Sequence, residues 1–200
     1  MEFEPAAQSL LEAQARKLHS SKRTVEAIDI LREVLAARLY YQGDKHFQTI
    51  NCRSGLARSL RAIGEYAECF VLYSENIRVH REKLGEEHPQ TLRSLSRLAN
   101  TYYAARRYHD AKAMFEEIFE RRLRVLGQDH PDTLRSRSSL ANTLAQLGHF
   151  TEAAALHEET VRDRIRVLGA DHIRTALSRK RLDRVIQSSE TIQRTRYDLE

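Results

Sequence analysis

Nine histidines and two cysteines are the side chains of this 200-residue chain best suited to holding a metal or attacking a substrate. His46, His88, His130 and His172 recur at a fixed step of 42 residues. A metal gathers its nitrogen ligands at about 2 Å. Elements one step apart are separated by at least a helix diameter, on the order of 10 Å. These four cannot share an ion, and the plainer reading is a contact at the start of a helix. His19, His80, His109, His149 and His157 form no HxxxH or HExxH pattern. Cys52 lies near His46 but has no third group to orient a nucleophile–base pair. Cys69 stands where other copies of the pattern carry Ala, which suits a small buried side chain. There is no glycine-rich phosphate loop, GxSxG elbow, or kinase or deaminase signature. The expectation is a non-enzymatic protein with no catalytic residue, no metal and no cofactor.

Charge offers a second kind of chemistry. The chain carries 33 Lys and Arg against 28 Asp and Glu, a net +5, and all but six of the cations are Arg. Such a mild excess permits an acidic partner without requiring a polynucleotide, which asks for a concentrated basic patch. Glu116, Glu117 and Glu120 stand within a helical turn of Arg121 and Arg124, a pattern of surface ion pairs. Two basic runs, Arg121-Arg122-Arg124 and Arg162-Arg164-Arg166, fall at the same repeat position. They read as a solvated helix face, with an arginine ridge for nucleic acid as the alternative.

The elements that must position these residues come from the same 42-residue step. Leu84-Gly85-Glu86-Glu87-His88-Pro89-Gln90-Thr91 returns as Leu126-Gly127-Gln128-Asp129-His130-Pro131-Asp132-Thr133 and again, with Ile for Pro, from Leu168 to Thr175. A weaker copy starts at Gln42. Between these junctions lie two helical patterns. The first carries Leu56-Ala57, Leu98-Ala99 or Leu140-Ala141, with Leu60, Tyr102 or Leu144 one turn later. A turn follows at Gly64, Arg106 or Gly148, where glycine suits the left-handed residue that ends a helix. The second opens with Tyr66, Tyr108 or Phe150, then places Cys69, Ala111 or Ala153 and Tyr73, Phe115 or His157 on one face. A helix pair of this kind cannot bury its apolar stripe alone, so units must stack.

The spacing therefore predicts an all-α, right-handed α-solenoid of stacked antiparallel helix hairpins. Hairpins are expected over 5–41, 47–83, 89–125 and 131–167, then a cap helix over 173–188. Together these make an array over 1–188, with a tail over 189–200. Asp183 replaces the packing Ala in the last copy, as befits a cap facing water. The acidic start, Met1-Glu2-Phe3-Glu4-Pro5, is unlike a secretory leader. No stretch has the length and apolarity of a membrane span, and two cysteines without a leader suit unpaired thiols in a reducing compartment. The expected location is cytoplasmic.

The order Leu-Ala, Gly, aromatic, Ala, aromatic resembles the tetratricopeptide repeat. The 42-residue period and the Leu-Gly-x-x-His-Pro-x-Thr junction resemble its kinesin-light-chain-like subclass, although Ser54-Gly55, Ser96-Arg97 and Ser138-Ser139 stand where light chains typically carry Asn-Asn. The resemblance implies that the first helix of each hairpin lines a concave groove. Carried over position by position, it implies that Asn51, Ser54, Arg58 and Arg61 face that groove in one unit. Arg93, Ser96, Asn100 and Tyr103 do so in the next, and Arg135, Ser138, Asn142 and Gln146 in the one after. Glu12, Arg16 and His19 are their counterparts in the first. Asn100 and Asn142 match positions that hold a bound peptide backbone, and Arg93 and Arg135 complete the expected centre of the surface. The implied function is an interaction module or adaptor binding an acidic or C-terminal peptide segment of a protein partner. A nucleic-acid or regulatory module using the arginine ridges is the alternative.

Overall fold

The structure is a computed structural model that describes residues 4–197. Among these it contains nine α-helices and no strand. They are α1 (Pro5–Ser20), α2 (Thr24–Gln42), α3 (Phe47–Ile63), α4 (Tyr66–Leu84), α5 (Pro89–Ala104), α6 (Tyr108–Leu126), α7 (Pro131–Gln146), α8 (Phe150–Leu168) and α9 (Ile173–Tyr197). The fold class is an all-α solenoid. The last helix continues beyond the expected cap boundary at residue 188, into the segment expected as a tail; residues 198–200 lie outside the described residues.

The junction motif explains why each odd-numbered helix from α3 onward starts where it does. His46, His88, His130 and His172 accept a hydrogen bond at Nδ1 from the backbone N–H two residues on, at 3.1–3.3 Å. Each thus satisfies one of the orphan donors at a helix N-terminus. Pro89 and Pro131 occupy the first turn, where no N–H is required. Thr91 and Thr175 donate their hydroxyls back to the carbonyls of Gly85 and Gly169, at 2.7 and 2.9 Å. Gly85 itself has φ +87° and ψ 170°, a conformation essentially confined to glycine.

Two compact units make up the chain, Met1–Ala105 and Arg106–Glu200, with the boundary in the turn between α5 and α6. In the first, each helix from α1 to α5 packs on the next, and α1 also meets α3. Ala27 and Cys69, on the second helices of their hairpins, are fully buried, as are Ala15, Ala57 and Ala99 on the first helices. Small side chains at both surfaces let the helices approach closely. Leu31 and Tyr73 fill the neighbouring space, and Phe70 stacks on Tyr102 with ring centroids 4.6 Å apart.

The second unit repeats the scheme with α6 against α7, α7 against α8 and α8 against α9, and contact between α7 and α9. Ala111, Ala141 and Ala153 are fully buried. Phe115 and His157 take the aromatic position. Asp183 on α9 is exposed.

Candidate interaction site

The first helices of the hairpins carry the residues singled out for the groove, and each unit holds a concavity between such helices. In the first unit a cavity of about 350 Å³ lies among α1, α3, α4 and α5. Glu12, Arg16 and His19 of α1 line it, with Asn51, Ser54, Arg58 and Arg61 of α3 and Arg97 of α5. Buried Tyr73 of α4 forms part of its wall. Glu12 is the only carboxylate in this lining, and it is already engaged. It accepts a hydrogen bond from buried Arg38 at 2.6 Å and lies 3.8 Å from Arg16. Arg97 donates to Ser54 Oγ at 2.9 Å, and that hydroxyl also accepts from Asn76 at 2.9 Å. Burial holds the Arg97 guanidinium below the ordinary arginine pKa.

In the second unit a concavity of about 400 Å³ lies between α7 and α9, with Arg164 of α8. Asp132 and Arg135 line one side and Arg174, Leu177 and Arg181 the other. Arg135 pairs with Asp132 at 2.9 Å. Arg181 donates to Ser138 Oγ at 2.8 Å, repeating the Arg97–Ser54 contact of the first unit.

The structure brings some of the expected residues to these faces and withdraws others. Asn51, Arg58, Arg93, Asn100, Arg135 and Gln146 are exposed, whereas Arg61, Tyr103 and Asn142 are half-buried. Ser96 and Ser138 are buried and do not present their hydroxyls to a ligand: Ser96 bonds its own helix at Leu92 (2.8 Å), and Ser138 receives Arg181. Asn100 donates to the Ser96 carbonyl at 2.6 Å. Asn142 Oδ1 meets His157 Nε2 at 3.1 Å. Arg97 and Arg181, absent from the expected set, are the side chains that fill the space next to Ser54 and Ser138. Their signal in the sequence is the Arg that stands where light chains carry the second Asn.

The arginine ridges are largely dismantled. Arg122 and Arg164 are 2% and 7% exposed, so the expectation of a solvated face fails at both. Arg122 donates to Ser136 Oγ at 2.5 Å and to the Asp132 carbonyl at 3.3 Å. Arg164 donates to Ser178 Oγ and to the Arg174 carbonyl. Arg166 is paired with Asp129 and Asp163, and Arg121 with Glu117 at 2.8 Å. Spacing could not reveal the burial of Arg122 and Arg164, because their acceptors lie on the next helix.

Neither cysteine is set up for chemistry. Cys52 and Cys69 are buried free thiols that donate to the carbonyls of Leu31 (3.6 Å) and Ala57 (3.1 Å). Burial pushes them up to about 12 and about 11. Among the described residues no group of three or more His, Cys, Asp or Glu could hold a metal ion. Among them, too, no helix is long and apolar enough to cross a membrane.

Comparison with known proteins agrees with this geometry. The tetratricopeptide repeat family matches residues 54–124 and 95–164, more than half of the chain. The chain belongs to the tetratricopeptide repeat family, and within it is of the kinesin-light-chain-like kind. Two crystal structures of a Podosopora anserina protein with nearly identical TPR-like repeats, named as a candidate kinesin light chain, superpose with TM-scores of 0.82 and 0.81. They are 25% and 26% identical, covering 100% of this chain and 94% of theirs. BtubC (BKLC) from P. vanneervenii shares the fold at 15% identity and TM-score 0.58, over 96% of this chain and 90% of its own. No curated protein matches the sequence. Tetratricopeptide repeats mark a protein–protein interaction module, and their fold is typically a non-enzymatic scaffold.

Proposed function

We propose that the chain is an adaptor that binds an acidic or C-terminal peptide segment of a protein partner on the first-helix face of its hairpins. The observation that carries this reading is the charge of that face. The cavity of the first unit is lined by Arg16, Arg58, Arg61 and Arg97, and its one carboxylate is spoken for by Arg38. Guanidinium forks take carboxylates bidentately, which gives both strength and geometry. Arg93 and Asn100 in the first unit, with Asn51 and Tyr103, and Arg135 and Asn142 in the second, with Gln146, remain the proposed contact residues, each set within its own unit. Exposed Asn100 can offer its amide to an extended backbone. A cytoplasmic location belongs to the same proposal and is supported by two buried free thiols.

The test is retention of a degenerate, acid-rich peptide library by the purified chain. Retention is expected to fall about tenfold or more in the double variant Arg93→Ala/Arg135→Ala, since a charged hydrogen bond contributes about 1.5–3 kcal/mol. Unchanged retention in that variant, with loss in Arg121→Ala/Arg124→Ala, moves the site to the second helix of the hairpin, α6.

A further inference from the structure

Three arginines of the first-unit cavity have no anion of their own. Arg58 and Arg61 make no side-chain hydrogen bond or ion pair among the described residues, and Arg97 has only the Ser54 hydroxyl. Arg38, also deeply placed, is neutralised by Glu12 and further held by Gln42 and Gln48 at 3.0 and 2.7 Å, and buried Arg53 donates to Asn76 Oδ1 at 2.9 Å. A half-buried guanidinium paired with a neutral hydroxyl is desolvated without Coulombic return. A phenol stands beside them. Tyr73 lines the cavity at 3% exposure, and its hydroxyl makes no hydrogen bond among the described residues, which leaves it able to donate into the cavity.

Three cations and a phenol around one concavity exceed what a single carboxylate can satisfy. A peptide carboxylate brings one negative charge and two oxygens. A phosphoryl group brings about −1.5 to −2 and three strong acceptor oxygens. We propose that the Arg58–Arg61–Arg97 cavity is a subsite for a phosphorylated side chain of the bound peptide, with Tyr73 donating to the same group; this rests on the groove reading above. The cavity's volume of about 350 Å³ admits such a side chain. Glu12 closes the α1 side and repels acceptors that approach away from the three guanidiniums.

The experiment uses the full chain and degenerate peptide libraries with one fixed central residue: phosphoserine, glutamate or serine. The expected result is at least tenfold greater retention of the phosphoserine library than of the glutamate library. That preference is expected to vanish in Arg58→Ala and in Arg97→Gln, and to persist in Arg23→Ala, a surface arginine paired with Glu26. Arg58 is exposed, so its variant keeps the test valid should Arg97→Gln fold poorly. Inorganic phosphate at millimolar concentration is expected to compete. Equal retention of glutamate and phosphoserine libraries overturns the subsite and leaves the acidic-peptide reading standing. Retention of neither overturns both. Thermal protection by inorganic phosphate without any preference among libraries assigns the cavity to a free anion and overturns the peptide subsite. Binding of a polynucleotide in place of every peptide library does the same.

Discussion

Arg122 on α6 donates to Ser136 Oγ on α7, fourteen positions later, at 2.5 Å. The same offset joins Arg164 to Ser178 and, in the first unit, His80 to Ser94 at 2.9 Å. A basic side chain late in the second helix of one hairpin thus fastens the first helix of the next. Arg122→Ala removes the charged donor from the buried Ser136 hydroxyl, which still donates to the Asp132 carbonyl at 3.1 Å, and is expected to cost about 2–3 kcal/mol in urea unfolding. Arg122→His should lose less, because imidazole already fills this role at His80. Equal losses for both variants, or none, would show that the fastening contributes little.

The turn inside each hairpin needs a left-handed residue. Gly64 and Gly148 supply it in two copies, but Lys22 and Arg106 adopt φ +65° and +59° at the matching positions. The first-unit turns are alike in detail: the N–H of Arg23 reaches the Leu18 carbonyl at 2.9 Å, as Glu65 reaches Leu60 at 3.0 Å. A side chain in this conformation costs about 1–2 kcal/mol, partly offset by glycine's greater freedom when unfolded. Lys22→Gly and Arg106→Gly are each expected to stabilise by about 0.5–1 kcal/mol. Chemical denaturation of the two variants checks this; a loss of stability at both sites contradicts it.

His157 replaces the aromatic residue of earlier copies and is fully buried. Burial, then Arg181 and Arg164, lowers it to about 4. The folded protein therefore keeps this imidazole neutral where the unfolded chain, near 6.5, would take a proton. Its contribution is fully present above about pH 6.5 and is lost as pH falls towards 4, by about 3 kcal/mol in all. His157→Phe is expected to flatten the stability–pH curve across that window. An unchanged slope between wild type and variant would assign the acid sensitivity elsewhere.

Both thiols are buried and raised, so the native chain is expected to resist thiol-specific reagents at pH 8 and to react twice on unfolding. Cys69→Ala, which restores the small residue of the other copies, is expected to change stability by less than about 1.5 kcal/mol. Rapid modification of the folded chain would mean that the α3–α4 packing opens readily.

Leu98 and Leu140 are buried at 8% and 6% exposure. Truncation to Ala at either is expected to cost roughly 2–5 kcal/mol. Because contacts run between neighbouring hairpins, part of the array should unfold before the rest. A cooperative transition with less than about 0.5 kcal/mol lost at both sites is the contrary outcome, well below the range for buried leucine.

The sequence by itself determined the period, the helix pairs and the junctions, because each depends on interactions that reach no further than a turn or two. A Gly with φ +87°, a His that caps two residues ahead and a Pro in the first turn act locally and repeat unchanged. The alternation of Leu-Ala with small and aromatic residues likewise declares which stripe of each helix is buried. Tertiary structure alone decided the fate of the polar residues. Arg122 and Arg124 look alike in sequence, yet Arg122 meets a hydroxyl on the next helix and is buried, while Arg124 is exposed. Ser96 and Ser138 occupy expected groove positions, but their neighbours leave them no exposed hydroxyl. Arg97 became the centre of a cavity through the approach of α3 to α5, a contact between residues 43 positions apart. Burial and charge pairing belong to such neighbours, and no helical pattern carries them.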